Sequence, residues 1–357
     1  MEIRAEKFDS ISHFIQMGGF EYRIFDMGRK VSSISNKWFE QLENQQQAYP
    51  FPFQKKAWLA LIIWEANKEH EATIWFLQFP IDELGFLKQE ARDAFLIELL
   101  EQTGKNIQAK QKGNKVLDEL SESPFAFKPQ PERQAMFHAL ATRELGQSPS
   151  HYYQATREYL TGSLGYEQWQ FLGLQGIADV VARLDEGDSE TLLIDALAKM
   201  PETPLESFAL LLENVHPNKA LTASLIGLLN KEIESDSPNI KLAAALLRAL
   251  SGAKPDKLRK LFFLQLLTTE EANHLSSNIE ILVVFSGRAW KDLDDDDLLT
   301  LFIERLAAQE QIAFNAVLSD VMMLPNMKQK VLAVMRRPQR SDKLSEKIND
   351  FMKLMQT

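Results

Sequence analysis

The chain reads as a small α+β domain, an antiparallel sheet with helices, followed by an all-α HEAT-like helical-repeat domain, an α-solenoid. Three observations predict this. Two runs, Ala57 to Ala66 and Ala72 to Phe79, carry apolar residues on both faces at the period of a strand. From Tyr166 to Leu267 the apolar residues recur at helical period instead, as in Leu205, Phe208, Ala209, Leu211 and Leu212, and again in Leu221, Leu225, Leu228 and Leu229. Prolines at 201, 204, 217, 238 and 255 cut that stretch into short helices. One-sided helices in series must bury their stripes against each other. Taking Tyr166, Pro204 and Pro238 as starts of helix pairs gives spacings of 38 and 34 residues, within the period of roughly 34 to 47 residues found in helical-hairpin repeats.

The 357 residues exceed what one core usually holds. The expected division is residues 1–104 as the aromatic-rich α+β domain, 105–130 as a linker and 131–357 as the repeats. A formal net charge of −10 argues against wholesale binding to a polyanion, because phosphate contacts need basic surface. There is no cysteine, which excludes disulfides, thiolate metal sites and cysteine nucleophiles. The first residues alternate charges and lack the apolar run of a signal peptide. The longest apolar run, Ala57 to Trp64, is eight residues, against about 20 for a membrane span. A cytoplasmic protein that does not enter a membrane is the expectation.

In order along the chain, Asp9 or Ser10 can cap a short helix through Ile11, Phe14 and Ile15, closed by Gly18-Gly19. Phe20 to Met27 alternates, and Gly28 offers a turn into Lys30 to Ile34, giving a hairpin. Ser35 can cap a helix through Trp38, Phe39 and Leu42. The two strong strands should pair through a polar turn at 67–70 and, being apolar on both faces, lie centrally in the sheet. A helix over 87–104 can cover one face through Ala91, Phe95, Ile97, Leu99 and Leu100. Fourteen aromatics lie between Phe20 and Phe86; they suit either an aromatic cleft or, on pattern the better reading, a small core of large side chains. Residues 105–130 are lysine- and glutamine-rich and then broken by prolines, with a short helix feasible over 116–120. Helices follow from Pro131 and Ser148-Pro149, then as pairs over 166–184 and 188–200, 204–215 and 218–234, and 238–251 and 255–267, with Asp188, Thr203 and Ser237 as caps. Weaker helices continue over 279–286, 298–309, 312–323, 327–335 and 341–355.

Few residues suggest chemistry. Asp292 and Asp294 to Asp297 fail as a calcium loop, since Asp297 and Ile303 stand where glycine and glutamate are needed; charge at the start of a helix explains them better. The six histidines form no i, i+4 pair. Gly104-Lys105 lacks the phosphate-loop context, and Gly173 with Gly176 suits close helix packing rather than a dinucleotide. Asp26 and Arg29 flank Gly28 at the first hairpin, as a turn ion pair or an anion site. Asp82 and Glu83 follow Pro80; as paired carboxylates they can share acid–base work only if one is desolvated, and otherwise they are turn residues. From Met327 onward eight basic residues face three acidic ones, net +5, with Arg336, Arg337 and Arg340 as a basic patch. That patch can meet nucleic acid or an acidic partner, or simply complement a helix C-terminus.

The run Gly18 to Arg29, Ile74 to Asp82 and the helical remainder resemble a gammaproteobacterial family known only as a domain of unknown function. The resemblance implies a bacterial cytoplasmic protein and supplies no catalytic residue, cofactor or partner. The expected function is therefore a non-enzymatic scaffold or adaptor that binds a protein or peptide through the repeat surface, with no cofactor. The alternatives are a small-ligand binder or enzyme using the first domain, and nucleic-acid contact through the basic segment.

Overall fold

The computed structural model describes residues 9–65, 72–108, 122–254, 256–270 and 272–354. The chain forms two compact units, one of Met1–Gln130 with Met323–Pro325, the other of Pro131–Met322 with Asn326–Thr357.

The first unit holds a four-stranded antiparallel sheet in the order β2-β1-β3-β4, formed by β1 (Phe20–Asp26), β2 (Ser32–Ile34), β3 (Lys56–Glu65) and β4 (Thr73–Pro80). Ile24 pairs with Ile34 on one side and Leu61 on the other, and Leu61 pairs with Trp75. This register puts Tyr22, Ile24, Leu59, Leu61, Ile63, Trp75, Leu77 and Phe79 in one core. Side chains two apart share a face of the pleat, so one face collects the large apolar groups. Helices α1 (Ile11–Met17), α2 (Asn36–Glu43) and α3 (Gln89–Gln108) add Ile11, Ile15, Phe39, Leu42, Phe95 and Leu99 to that core, and Tyr49, Ile81 and Leu87 join it from connecting segments. Ser10 and Ser35 accept from His13 and Trp38 backbone N–H, so both expected caps form. On the opposite face Phe25, Ala60, Ile62 and Trp64 are also buried.

Two expectations change and two fall on residues that are not described. The turn at 67–70 and the short helix at 116–120 lie outside the described residues. β3 is central, but β4 ends the strand order; Gln78 N–H donates to Phe125 O (2.8 Å) and Phe127 N–H to Phe76 O (3.0 Å) along its outer side. Phe125 thereby stacks on Phe79 and Phe127 meets Trp58 edge-on. On α3 the buried set is Phe95, Leu96 and Leu99, while Ile97 and Leu100 are exposed. Positions i, i+1 and i+4 share the inward side of that helix, and Ile97 falls off it.

The second unit is helical throughout its described residues: α4 (Pro131–Glu144), α5 (Tyr152–Leu160), α6 (Leu174–Ala182), α7 (Ser189–Leu197), α8 (Glu202–Leu212), α9 (Lys219–Glu234), α10 (Ile240–Leu250), α11 (Asp256–Thr268), α12 (Asn273–Ser276), α13 (Ile279–Gly287), α14 (Asp296–Leu306), α15 (Gln311–Met322), α16 (Met327–Met335) and α17 (Asp342–Leu354). Their neighbours follow a rule. Each of α4, α6, α8, α10, α13, α15 and α17 packs against the next in that series. A second series runs α5, α7, α9, and then α11, α14, α16. A helix thus meets the next helix of its own series, two elements on except where the short α12 intervenes, and the apolar stripes of both series face inward, with Phe208, Leu211, Leu246, Leu250, Phe285, Phe302 and Phe314 fully buried.

Details of the boundaries differ from the sequence expectation. Helix α6 begins at Leu174, not Tyr166, because residues 161–173 fold back on α5: Tyr159 Oη donates to the Tyr166 carbonyl (2.9 Å) and the two rings meet edge-on. Thr203 and Ser237 are not caps; Pro201 precedes α8, and Asn239 caps α10 by accepting from Leu242 N–H. Gly176 does serve close packing, since a Cβ there would lie 2.4 Å from Thr156 Oγ1 on α5. Gly252 is tighter still, with the Val215 carbonyl oxygen 2.3 Å from where its Cβ would stand. The loop after α10 therefore stacks directly on the loop after α8, and Lys254 N–H donates to Pro217 O (2.8 Å).

Candidate functional site

Of the residues singled out in the first domain, Asp26 and Arg29 are both 1% exposed. β1 ends at Asp26, whose Oδ1 accepts from Gly28 N–H (3.2 Å) and from the hydroxyl of the fully buried Tyr49. Arg29 Nε donates to Pro52 O (2.7 Å) and its guanidinium lies over the Phe53 ring. Burial, followed by the Asp26 charge, holds the Tyr49 hydroxyl well above its usual range. The group is a closed knot that fastens the β1–β2 turn to the 49–53 segment.

Asp82 and Glu83 sit in a different turn. Asp82 Oδ1 accepts from the backbone N–H of Leu84 and Phe86, both at 2.9 Å, which is the turn chemistry of an aspartate. Glu83 is exposed. A second buried carboxylate in this unit, besides Asp26, is Glu43. Its two oxygens accept from Ile11 N–H (2.7 Å) and Ser12 N–H (3.1 Å) at the start of α1, and burial raises its pKa.

The basic patch is partly committed. Arg337 donates to Thr300 Oγ1 on α14 (2.7 Å), Arg340 reaches back to the Met335 carbonyl at the end of α16, and Arg336 is exposed. The aspartate run is structural. Asp295 caps α14 by accepting from Asp297 and Leu298 N–H, and Lys330 lies 2.8 Å from Asp294. Asp292 is buried and held by Arg259 Nε and Nη2 (2.8 Å at the shortest). Among the described residues no cluster of three or more His, Asp or Glu could hold a metal ion, and no helix is long and apolar enough to cross a membrane.

What the sequence did not bring forward is a charge centre among the first-series helices. Glu213, at the C-terminal end of α8, is 2% exposed. Its Oε2 accepts from Arg248 Nε on α10 and from Arg288 Nε at the end of α13, both at 2.7 Å, and its Oε1 accepts from Arg248 Nη2 at 2.9 Å. Burial alone would raise this carboxyl; the charges of Arg288, Arg248 and Arg133 overcome that and hold it down at about 2. Arg288 is pressed the other way, below its usual range, by burial and by Arg133 and Arg248. Two turns toward the N-terminal ends, Lys241 on α10 meets Glu206 on α8 at 2.9 Å. Between these two pairings lie Leu210 and Ala244, both half-buried, and Val283 of α13 is 47% exposed.

A signal for this centre was present. Glu213 follows Leu205, Ala209 and Leu212 on one helical stripe, and Asp179 sits among Ile177, Ala178, Val180 and Val181. A charge on an apolar stripe must be paired inside the fold. Asp179 is indeed buried, accepting from Ser150 N–H (2.9 Å) with Arg183 3.6 Å away. Which arginine answers such a charge is a matter of tertiary contact.

No curated protein and no solved structure matches the chain. A family model does, over residues 6–352, and its description is a protein of unknown function, in agreement with the resemblance seen in the strands of the first domain. The chain belongs to the DUF3549 family.

Proposed function

We propose that the second unit is an α-solenoid of HEAT-like period acting as a non-enzymatic scaffold, which binds a protein or peptide along its first helical series. The observation that carries this is the packing of each first-series helix on the next helix of that series. The first-series helices begin at Pro131, Leu174, Glu202, Ile240, Ile279, Gln311 and Asp342, between 28 and 43 residues apart. Stacking of that kind builds long surfaces and few enclosed pockets. Leu210, Ala244 and Val283 supply apolar contact area where a partner segment would lie.

Site-specific photo-crosslinking in cells tests this. A benzoylphenylalanine at Leu210, Ala244 or Val283 should give a discrete adduct with another protein. The same group at Ala223 or Leu261, exposed on the second series, should give none. Equal adducts from both series, or none from either, would end the reading.

A further inference from the structure

We infer that ordered water is bound inside the second unit, where α6 clasps the connection between α4 and α5, hydrogen-bonded to Ser150 Oγ and Arg183 Nη1 beside the Asp179 carboxylate. The site does not depend on the scaffold reading.

The clasp is built from the two charges at the C-terminal end of α6. Asp179 and Arg183, one turn apart, are 1% and 3% exposed. Asp179 Oδ2 accepts from Ser150 N–H (2.9 Å), and Arg183 Nη2 donates to Gln147 O (3.3 Å) and to Thr142 Oγ1 (3.4 Å). An acid and a base on one helix thus hold a backbone N–H and a backbone C=O of one short connection. Backbone groups drawn away from water need such partners, which gives a reason for charge to stand among the buried Ile177, Val180 and Val181.

The pair itself is held loosely. Arg183 Nη1 stands 3.6 Å from Asp179 Oδ1, beyond the reach of a hydrogen bond, whereas Arg248 and Arg288 meet Glu213 at 2.7 Å. Nη1 and Ser150 Oγ are both shut from solvent, and neither has a hydrogen-bond partner in the protein. Three such atoms occur among the described residues, and two of them belong to residues that touch this one carboxylate. A buried donor without an acceptor costs more than a typical hydrogen bond contributes. Polar groups just out of reach of each other are commonly bridged by water.

The chemistry selects water over an ion. Asp179 and Arg183 balance each other, so an anion would be repelled by the carboxylate and a metal ion by the guanidinium. A neutral molecule that both donates and accepts suits the set. Water accepts from Nη1, donates to Asp179 Oδ1 and exchanges a hydrogen bond with the Ser150 hydroxyl. About three polar partners is the usual number for water in a protein interior.

A high-resolution crystal structure of the full chain tests this. Density for water should lie within about 3.2 Å of Ser150 Oγ and of Arg183 Nη1. Ser150→Ala gives a second test, through the sign of its effect. Ser150 Oγ bonds no protein group, so its removal breaks no direct hydrogen bond. With water held there, the variant should melt about 2–4 °C below the wild type. A hydroxyl buried without a partner would do the opposite, and its deletion would raise the melting temperature. The inference is overturned by a map without density at the carboxylate, by a direct hydrogen bond from either atom to the protein, or by bromide taking the position after a soak. A variant that melts at or above the wild-type temperature overturns it as well.

Discussion

The two units both bury charge, and they do it across very different lengths of chain. In the first, Asp26 and Arg29 are three residues apart in sequence and are gathered with Tyr49 into the knot around one turn. In the second, Glu213 is met by Arg248, 35 residues on, and by Arg288, 75 residues on. Helices packed in series are held first by contacts between nearest neighbours. Glu213 ties α8 to α13 across α10, so it couples helices that simple stacking would leave independent. The knot in the first unit secures a local turn; the centre in the second joins helices far apart in sequence.

That contrast can be broken by experiment, beginning with the largest effect. Leu211 and Glu213 are two residues apart and both buried, but only the second position has partners for a charge. Leu211→Glu should destabilise the helical unit by on the order of 4 kcal/mol. Far-UV circular dichroism in urea would measure it, and a wild-type midpoint would show that the stripe is not packed as described.

Glu213→Gln should come next, at roughly 3 kcal/mol, because it leaves buried guanidinium groups without their counter-charge. Its pH dependence follows from the folded pKa of about 2 against an ordinary 4.5. A carboxyl lowered in the folded state contributes stability that is complete above pH 4.5 and lost as pH falls toward 2. The wild type should lose that contribution over this window and the variant should not. Parallel acid titrations would count against the centre.

The smallest effect belongs to the first unit. Tyr49→Phe removes one hydrogen bond to Asp26 and leaves the one from Gly28, so a loss of about 1 kcal/mol is expected. Tryptophan fluorescence reports it, since Trp38 lies 6.0 Å from the Tyr49 ring. A larger loss than that of Glu213→Gln would reverse the comparison.

Much of this architecture is legible in the residues themselves, and the places where it is not have physical causes. The strands could be read because alternation puts Leu59, Leu61 and Ile63 on one face and Ala60, Ile62 and Trp64 on the other, and both faces are apolar. Ser10 and Ser35 could be read as caps because a cap is a contact three residues long. The start of α6 was misjudged at Tyr166, since the helical pattern there continues while Tyr159 draws that segment back onto α5. Among site residues, Asp26 and Arg29 were visible as turn chemistry but not as buried groups, for their burial depends on Tyr49 and on the 49–53 segment. The Glu213 centre was overlooked because its members are scattered over three helices.

By itself the sequence determined which segments would be strands and which helices, that the helices carry one-sided stripes, and that they recur with a repeat-like spacing. These follow from local periodicity, which is a property of neighbours along the chain. Tertiary structure alone decided which helix lies beside which, that Phe125 and Phe127 run along β4, and that Glu213 is shared by Arg248 and Arg288. Those pairings depend on where the chain returns in space, and a buried charge accepts any partner of the right sign that packing brings within reach.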